Sequence, residues 1–242
     1  MLLLLYTIYN MDICRNIYNH INEHLDEILS LRSTGTLKSD NSFVSKGDLL
    51  CEQLVFDWLK HNMNDYILIS EESYQDISRI NEVEYVITVD PIDGTENFIS
   101  GLKEWGIGIS VYRRGIHFQS MIALPELNIT LMTGDKIERI SRSRLCGLPS
   151  YMKREHFDYL DKDYEYRQLG CCMMNMYNVI KGCFAKFIHL TGCYSWDILP
   201  GINLAIEHGL DVVIDGCKYK GEFLKPGIKY RFVVNNNYAI NE

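Results

Sequence analysis

An acidic turn at the end of an apolar run is the feature that most constrains how this chain folds. Residues 85–89, Tyr-Val-Ile-Thr-Val, are β-branched or aromatic and uncharged, which predicts a buried strand. Pro91 has no N–H group to give to a sheet ladder, so we expect the strand to end before it. Asp90 and Asp93 then stand on either side of a tight turn.

The composition of this turn suits a metal ion beside a phosphate. The two carboxylates repel each other, and a hard cation with oxygen ligands, such as Mg²⁺, would neutralise them. Gly94 permits a positive φ, and Thr95 can cap a helix that follows. Backbone N–H groups at such a helix start favour an anion. The pattern therefore favours phosphoryl transfer or hydrolysis, with an ordinary acidic turn as the alternative.

Four segments, in order along the chain, resemble motifs of the inositol monophosphatase superfamily. Residues 90–98 are similar to its signature Asp-Pro-Ile/Leu-Asp-Gly-Thr-x-x-Phe. The other three resemblances are residues 38–48 to Lys-x-Asp-x-x-x-Val-Thr-x-Ala-Asp, residues 68–73 to the family's Glu-Glu segment, and Trp196, Asp197 and Gly201 to Trp-Asp-x-x-x-Gly. The resemblance extends over residues 12–235, and residues 38–42 and 223–227 lean toward the bacterial phosphoadenosine-phosphate phosphatases of the CysQ type.

Alternating helical and extended patterns indicate an α/β fold. Helices are predicted at 13–28, 48–62, 175–181 and 196–208, and strands at 66–69, 85–89, 106–112, 117–124, 129–132, 185–190, 211–215 and 230–234. Residues 135–167 show little periodicity. The resemblance sharpens the fold to a layered α-β-α-β-α sandwich. It implies two subdomains, an α+β unit at 1–134 with most metal ligands and an α/β unit at 135–242 with Asp197 and the substrate contacts.

The resemblance also implies a role for individual residues. The implied ligands of two or three Mg²⁺ ions are Glu71, Asp90, the Ile92 carbonyl oxygen, Asp93 and Asp197. Thr95, oriented by Asp48, would hold the attacking water, Glu71 would help to accept its proton, and the N–H groups of Gly94 and Thr95 would hold the phosphate. From the residues alone, Asp48 could instead cap a helix, and Asp197 could be an acid of a first helical turn. Glu72 could be a surface acid or an acid behind the ligand Glu71.

Substrate preference is left open by departures from the family pattern. Gly170, Cys171 and Tyr194 are expected at the substrate, but Cys171-Cys172 replaces a Gly-Ser-Ser/Ala stretch. Met174 replaces a Lys of the phosphoadenosine-phosphate type, and Leu190 or Tyr194 stands where a Glu contacts the sugar ring. An inositol phosphate, phosphoadenosine phosphate, a sugar phosphate or a sugar bisphosphate each stays open as the substrate. The rival hypothesis is a non-catalytic protein that binds a metal and a phosphate ester.

Charge and composition indicate which kinds of binding partner and cellular compartment to expect. The formal net charge is −8 without a Lys/Arg stripe, so a nucleic-acid polymer is not an expected partner. The eight cysteines form no Cys-x-x-Cys pair, which favours reduced thiols in a cytoplasmic protein. The apolar opening, residues 1–5, is too short to span a bilayer, so no stable membrane insertion is expected. Met1 and Met11 are both candidate start sites, and the family resemblance makes a homodimer an open alternative.

Overall fold

The structure, a computed structural model, describes residues 12–39, 41–73, 77–140 and 143–236. The candidate start Met11 and the motif residue Asp40 lie outside these residues. The helices are α1 (Ile13–Asn22), α2 (Leu25–Ser30), α3 (Lys46–Asn62), α4 (Thr95–Ile99), α5 (Cys172–Lys181) and α6 (Ser195–Glu207), with 3₁₀ turns at Arg32–Thr34, Pro125–Leu127 and Arg154–Tyr159.

Two large sheets carry the fold. The first has the order β3 (Tyr66–Ser70), β4 (Tyr85–Asp93), β5 (Gly106–Arg113), β6 (Ile116–Leu124) and β7 (Ile129–Met132), and only the β3–β4 pair in it is parallel. The second has the order β12 (Cys217–Lys218), β11 (Asp211–Ile214), β13 (Tyr230–Asn235), β10 (Lys186–Cys193), β8 (Leu145–Leu148) and β9 (Glu165–Gln168). A short hairpin, β1 (Thr36–Leu37) with β2 (Phe43–Val44), precedes α3.

The helices cover the sheets in layers. Helices α1 and α3 pack on β4, β5 and β6, and α2 packs on α3. Helices α5 and α6 contact the same three-strand region and also β8, β10, β11 and β13 of the second sheet. The two apolar cores lie on opposite sides of this arrangement, one under α1 and α3 and one around α5 and α6. The predicted mixed α/β fold, with helix and sheet layers alternating, is confirmed.

Local sequence explains the helix boundaries. The Asp12 carboxylate accepts a hydrogen bond from the Arg15 backbone N–H at 3.1 Å and starts α1. The predicted single helix over 13–28 is wrong, because the chain leaves helical geometry at His24 (φ −110°, ψ 13°). The His24 ring Nδ1 lies 3.0 Å from the His20 carbonyl oxygen. A side chain that competes for this carbonyl is typical of a helix end.

Strand β4 differs from its prediction at Pro91. The strand continues through Pro91 to Asp93, and its register against β5 shifts between Asp90 and Asp93. The prediction that Pro91 ends the strand is wrong. At a β-bulge the proline nitrogen faces no carbonyl group of the neighbouring strand, so its missing N–H breaks no hydrogen bond of the sheet. The sequence also did not predict β8 and β9, which lie in the stretch without clear periodicity. The two strand sets lie on either side of residue 134, where the subdomain boundary stays a prediction.

Within the described residues, no helix is both long enough and apolar enough to cross a bilayer.

Candidate metal and active site

Three carboxylates from separate elements meet at one point. Glu71 follows the end of β3, Asp90 lies within β4, and Asp197 lies in the first turn of α6. One ligand oxygen from each lies within 4.8 Å of the others. The parallel pairing of β3 with β4 places Ser70 opposite Val89, so the residues that follow, Glu71 and Asp90, emerge side by side. Asp197, which is far from both in the sequence, reaches the same point because it lies at the start of α6.

The electrostatics of this cluster fit a cation. Burial, and then the nearby Glu71 and Asp93 carboxylates, raise the pKa of Asp90 well above its usual range. The same two causes, burial first, raise the pKa of Asp197 well above its usual range. Asp90 is 2% exposed, and its Oδ1 has no hydrogen-bond donor among the residues described. A buried carboxylate oxygen without a donor costs free energy, which a hard cation would offset.

Glu71 lies beside a lysine ammonium. The Lys38 ammonium lies 3.1 Å from Glu71 Oε1 and 2.6 Å from Glu72 Oε1. Burial acts to lower the pKa of Lys38, but the two carboxylates outweigh it and raise that pKa. Burial raises the pKa of Glu71 to about 7, against the opposing effect of Lys38. The Glu72 side chain is only 8% exposed and contacts the Lys38 ammonium, which favours an acid behind the ligand over a surface acid.

Asp93 lies at the same site but makes different contacts. Its Oδ2 accepts a hydrogen bond from the Cys171 thiol at 2.9 Å and another from the Met173 backbone N–H. These donors come from the start of α5, so Asp93 joins the first sheet to α5. Asp93 also contributes, after burial and Glu71, to the raised pKa of Asp90, although the group of three close carboxylates does not include it.

Thr95 and Asp48 form a pair beside the carboxylates. The Thr95 hydroxyl lies 3.1 Å from Asp48 Oδ1 and 3.0 Å from the Ile92 carbonyl oxygen, and its single proton is donated to one of them at a time. Asp48 Oδ2 accepts hydrogen bonds from the Ser45 N–H at 2.8 Å and the Ser45 hydroxyl at 2.6 Å. Asp48 is therefore both a member of the α3 capping box and a partner of Thr95.

Gly94 provides the close approach that the site requires. It adopts a left-handed conformation (φ +82°) and serves as the N-cap of α4, so Thr95 is the first helical residue and does not cap the helix as predicted. A Cβ at this position would lie 2.9 Å from the Gly170 carbonyl oxygen and 3.1 Å from Cys171 Cβ. The structure thus brings Gly94 together with Gly170 and Cys171, which were predicted separately at the phosphate and the substrate.

A cavity of about 540 Å³ opens onto these carboxylates. Its wall includes Glu71, Asp197 and the predicted substrate residue Tyr194, whose backbone N–H donates to Asp197 Oδ2 at 2.7 Å. Other wall residues, which the sequence analysis did not single out for a role, are Lys153, His156, His189 and Lys229. None of these four residues belongs to a motif. Only His189 falls in the stretch between residues 170 and 194, where the sequence differs most from the family pattern.

The layered fold and the carboxylate cluster define an α/β protein with a site suited to divalent metal ions. A profile of the Inositol monophosphatase family matches residues 5–141, more than half of the chain. The chain belongs to the inositol monophosphatase family.

Individual relatives are distant. The chain is 26% identical over 196 residues to an inositol-1-monophosphatase of Mesorhizobium japonicum, covering 72% of this chain and 73% of the relative. It is 25% identical over 194 residues to Nus factor SuhB of Salmonella typhimurium, covering 71% and 72%. A crystal structure of an IMPase/NADP phosphatase complexed with Mg²⁺ and phosphate superposes with a TM-score of 0.77 at 20% identity, covering 94% of this chain and 90% of that one. The fold is therefore that of the IMPase structures.

Proposed function

We propose that this protein is a Mg²⁺-dependent phosphomonoesterase that hydrolyses a small phosphorylated metabolite. The observation that carries the proposal is the convergence of Glu71, Asp90 and Asp197, from three elements, beside the Thr95–Asp48 pair. Buried carboxylates that repel one another are rare unless a cation or a functional demand compensates for them. The relative from Mesorhizobium japonicum is named an inositol-1-monophosphatase, which supports the same reaction class.

The metal ligands proposed are the four carboxylates and one carbonyl oxygen predicted from the sequence, for two or three ions: Glu71, Asp90, Ile92, Asp93 and Asp197. Hard oxygen donors of this kind are the ligands that Mg²⁺ takes in proteins. When bound, Mg²⁺ lowers the pKa of water and neutralises charge on phosphate and leaving-group oxygens. Asp93 also accepts hydrogen bonds from the Cys171 thiol and the Met173 N–H through Oδ2.

The residues of the chain orient the attacking water and take its proton. While Thr95 donates its proton to Asp48, the lone pairs of its hydroxyl are free to accept a hydrogen bond from the water. The water is thereby aligned to attack phosphorus as the bond to the leaving oxygen breaks. Glu71, which lies at the same cluster of carboxylates, is proposed to help accept the proton of this water.

The phosphate group is proposed to lie at the start of α4. The N–H groups of Gly94 and Thr95 face no helical partner there, because the first N–H groups of a helix have none. Only glycine fits at position 94, since a Cβ there would lie 2.9 Å from the Gly170 carbonyl oxygen. Gly170, Cys171 and Tyr194 then border the rest of the substrate.

The test is phosphate release from a substrate panel with and without Mg²⁺. The panel contains inositol phosphates, phosphoadenosine phosphate, fructose bisphosphate and hexose or heptose phosphates. Wild type is compared with Asp90→Asn, which removes a proposed ligand, and with Asp26→Asn, an exposed carboxylate on α2 that serves as a matched control. We expect Mg²⁺-dependent turnover that Asp90→Asn abolishes and Asp26→Asn retains.

The non-catalytic alternative makes a different prediction for the same panel. A protein that only binds would show calorimetric heat for Mg²⁺ and for a phosphate ester but no phosphate release above that of Asp90→Asn. The intact Thr95–Asp48 pair argues against this alternative, because a binding protein has no use for a water-orienting hydroxyl.

A further inference from the structure

The Asn97 side chain joins the helix after the acidic turn to a distant part of the chain. Asn97 lies in α4, and its Nδ2 donates hydrogen bonds to the carbonyl oxygens of Glu104 and Leu169, both at 2.7 Å. A side-chain amide has two N–H hydrogens, so both are used. Only the N–H side of an amide can face two carbonyl oxygens, so these contacts also fix the orientation of the amide. Asn97 thereby connects α4 to a residue 72 positions further along the chain.

The segment that Asn97 contacts leads from β9 to α5, over residues 169–173. It lies directly against α4. A Cβ on Gly170, which has φ +75°, would lie 2.6 Å from Asn97 Oδ1, and one on Gly94 would lie 2.9 Å from the Gly170 carbonyl oxygen. The segment therefore has no room to move closer to α4, and the hydrogen bond from Asn97 opposes a movement away from it.

The same segment carries the hydrogen-bond donors of Asp93. The Cys171 thiol and the Met173 N–H both donate to Asp93 Oδ2. Asp93 and Asn97 stand four residues apart at the start of α4, so they hold the segment at two neighbouring points. One point is a carboxylate that accepts hydrogen bonds, and the other is an amide that donates one. The two contacts together therefore match a single position of the segment.

We infer that Asn97 is a positioning residue that keeps residues 169–173 in place and thereby sets the direction in which Asp93 faces the proposed metal ions. The inference rests on the proposed function and adds to it a residue that acts through Asp93 rather than on the reacting atoms. Without the Asn97 amide, the Leu169 carbonyl would lose its donor, and the segment could move away with the Cys171 and Met173 donors. The Asp93 carboxylate would then be free to turn.

A purely structural role for Asn97 predicts a different outcome. Loss of a residue that only stabilises the fold would lower the fraction of folded protein and leave the Mg²⁺ affinity of the folded fraction unchanged. Loss of a positioning residue would open one segment locally and weaken Mg²⁺ binding in a protein that stays folded.

The principal variant is Asn97→Asp, which keeps the shape of the side chain but replaces both N–H donors by a carboxylate oxygen that repels the two carbonyls. The matched control is Asn62→Asp, at an exposed asparagine at the end of α3 whose amide also donates to a backbone carbonyl, that of Trp58 at 2.8 Å. Asn97→Ser, with one hydroxyl hydrogen, can satisfy at most one of the two carbonyls. It serves as a second variant if Asn97→Asp does not fold.

The first measurement needs neither metal nor substrate. Cysteines are alkylated with iodoacetamide in chelator, and peptide mass spectrometry follows each residue. Cys171 is 2% exposed, and Cys51, in α3 and in the other core, is 0% exposed and reports global unfolding. We expect Asn97→Asp to raise the rate at Cys171 about ten-fold or more and to leave Cys51 within about two-fold. A ten-fold change in local opening corresponds to about 1.4 kcal/mol, as expected for the loss of one or two hydrogen bonds.

The second measurement is Mg²⁺ affinity, by calorimetry and by the Mg²⁺ concentration that gives half-maximal phosphate release. Asn97→Asp should weaken Mg²⁺ binding about ten-fold and lower kcat at saturating Mg²⁺ by less than about three-fold. Cys171→Ala removes one donor to Asp93 and should weaken Mg²⁺ binding in the same direction. Because both changes act through one segment, the double variant should be no worse than the weaker-binding single variant, whereas additive losses would overturn the inference.

The remaining outcomes are equally decisive. Wild-type alkylation of Cys171 in both Asn97 variants, or an equal increase at Cys171 and Cys51, would overturn the inference. Faster alkylation of Cys171 with unchanged Mg²⁺ affinity would also overturn it, because the segment would then have no influence on Asp93. If wild type releases no phosphate from any substrate, the phosphomonoesterase proposal fails, while alkylation and Mg²⁺ calorimetry still decide the role of Asn97.

Discussion

The Thr95 hydroxyl lies 3.1 Å from Asp48 Oδ1, across a gap of 47 residues in the chain. Asp48 is fixed by two hydrogen bonds from Ser45, so the carboxylate cannot turn away without breaking the capping box of α3. The same contacts that start a helix thus aim a carboxylate at the proposed water-binding hydroxyl.

Removal of that hydroxyl should affect catalysis and leave metal binding intact. We expect Thr95→Val to lower kcat about 100- to 1,000-fold, in the range found for loss of acid–base assistance, with Mg²⁺ affinity within a few-fold of wild type. Thr95→Ser keeps the hydroxyl and should retain most activity. Phosphate-release kinetics and Mg²⁺ calorimetry check the prediction. A Thr95→Val enzyme with wild-type kcat would exclude this role for Thr95.

Neutralising Asp90 should raise the stability of the metal-free protein and remove the stabilisation that Mg²⁺ gives wild type. The Asp90 carboxylate is buried and repelled by Glu71 and Asp93, so its charge opposes folding when no cation is bound. We expect Asp90→Asn to raise the melting temperature in chelator by several degrees, equivalent to about 1–3 kcal/mol, and to abolish the increase that Mg²⁺ gives wild type. Thermal melts in EDTA and in Mg²⁺ measure both effects. A lower melting temperature in EDTA would contradict the prediction.

Gly94 and Gly101 offer a matched test of close packing. Both have positive φ, at +82° and +84°, but a Cβ on Gly94 would meet the Gly170 carbonyl oxygen at 2.9 Å, whereas nothing lies within 4 Å of one on Gly101. We expect Gly101→Ala to cost about 1 kcal/mol, from the backbone conformation alone. Gly94→Ala should cost about 2–4 kcal/mol, because overpacking adds to that strain. Denaturant unfolding measures the loss of unfolding free energy for each variant. Equal losses would contradict the prediction, because the backbone at Gly170 would then move aside without cost.

Acidification should destabilise the protein through His189. Burial, and then the Lys229 ammonium, lower the pKa of this histidine to about 4 from its ordinary 6.5. The unfolded chain therefore binds a proton between pH 6.5 and 4 that the folded protein does not, and stability falls as the pH falls through that window. The contribution is fully present above pH 6.5.

The measurement compares unfolding free energies at pH 7 and pH 5 in chelator, which removes the pH dependence of metal binding. Wild type should lose about 1–2 kcal/mol more than His189→Gln over this interval. The charged groups that share the cavity wall, Lys153, Lys229, Glu71 and Asp197, remain in both proteins and cancel in the comparison. The same loss in both proteins would show that His189 does not titrate in this way.

Sequence reasoning predicted what depends on local pattern or on an ordered motif. The strand over 85–89, the helix that ends at Asn62 and the closeness of Glu71 to Asp90 all follow from such patterns, although the strand continues to Asp93. The roles of these residues in catalysis stay predictions. The lean toward the phosphoadenosine-phosphate type and the homodimer also stay predictions.

What the sequence did not predict depends on contacts between distant residues. Strands β8 and β9 are short, and the parallel pairing of β8 with β10 on one side and with β9 on the other is invisible in local periodicity. The link from Cys171 to Asp93 spans 78 residues. The contact of the Lys229 ammonium with the Tyr194 ring likewise joins residues far apart in the sequence. A single basic residue without a motif gives no signal of its own in a chain with 24 Lys and Arg residues.

The bulge at Pro91 explains why the two aspartates of the acidic turn stand three positions apart. In a regular strand, residues at odd separation point to opposite faces of the sheet, so Asp90 and Asp93 would be divided between two sides. The register shift between them adds the extra residue that returns both carboxylates to one side. The spacing Asp-x-x-Asp is therefore the imprint of a backbone irregularity. A regular strand through residues 90–93, without the extra residue, would separate the pair while leaving every acidic residue in the chain.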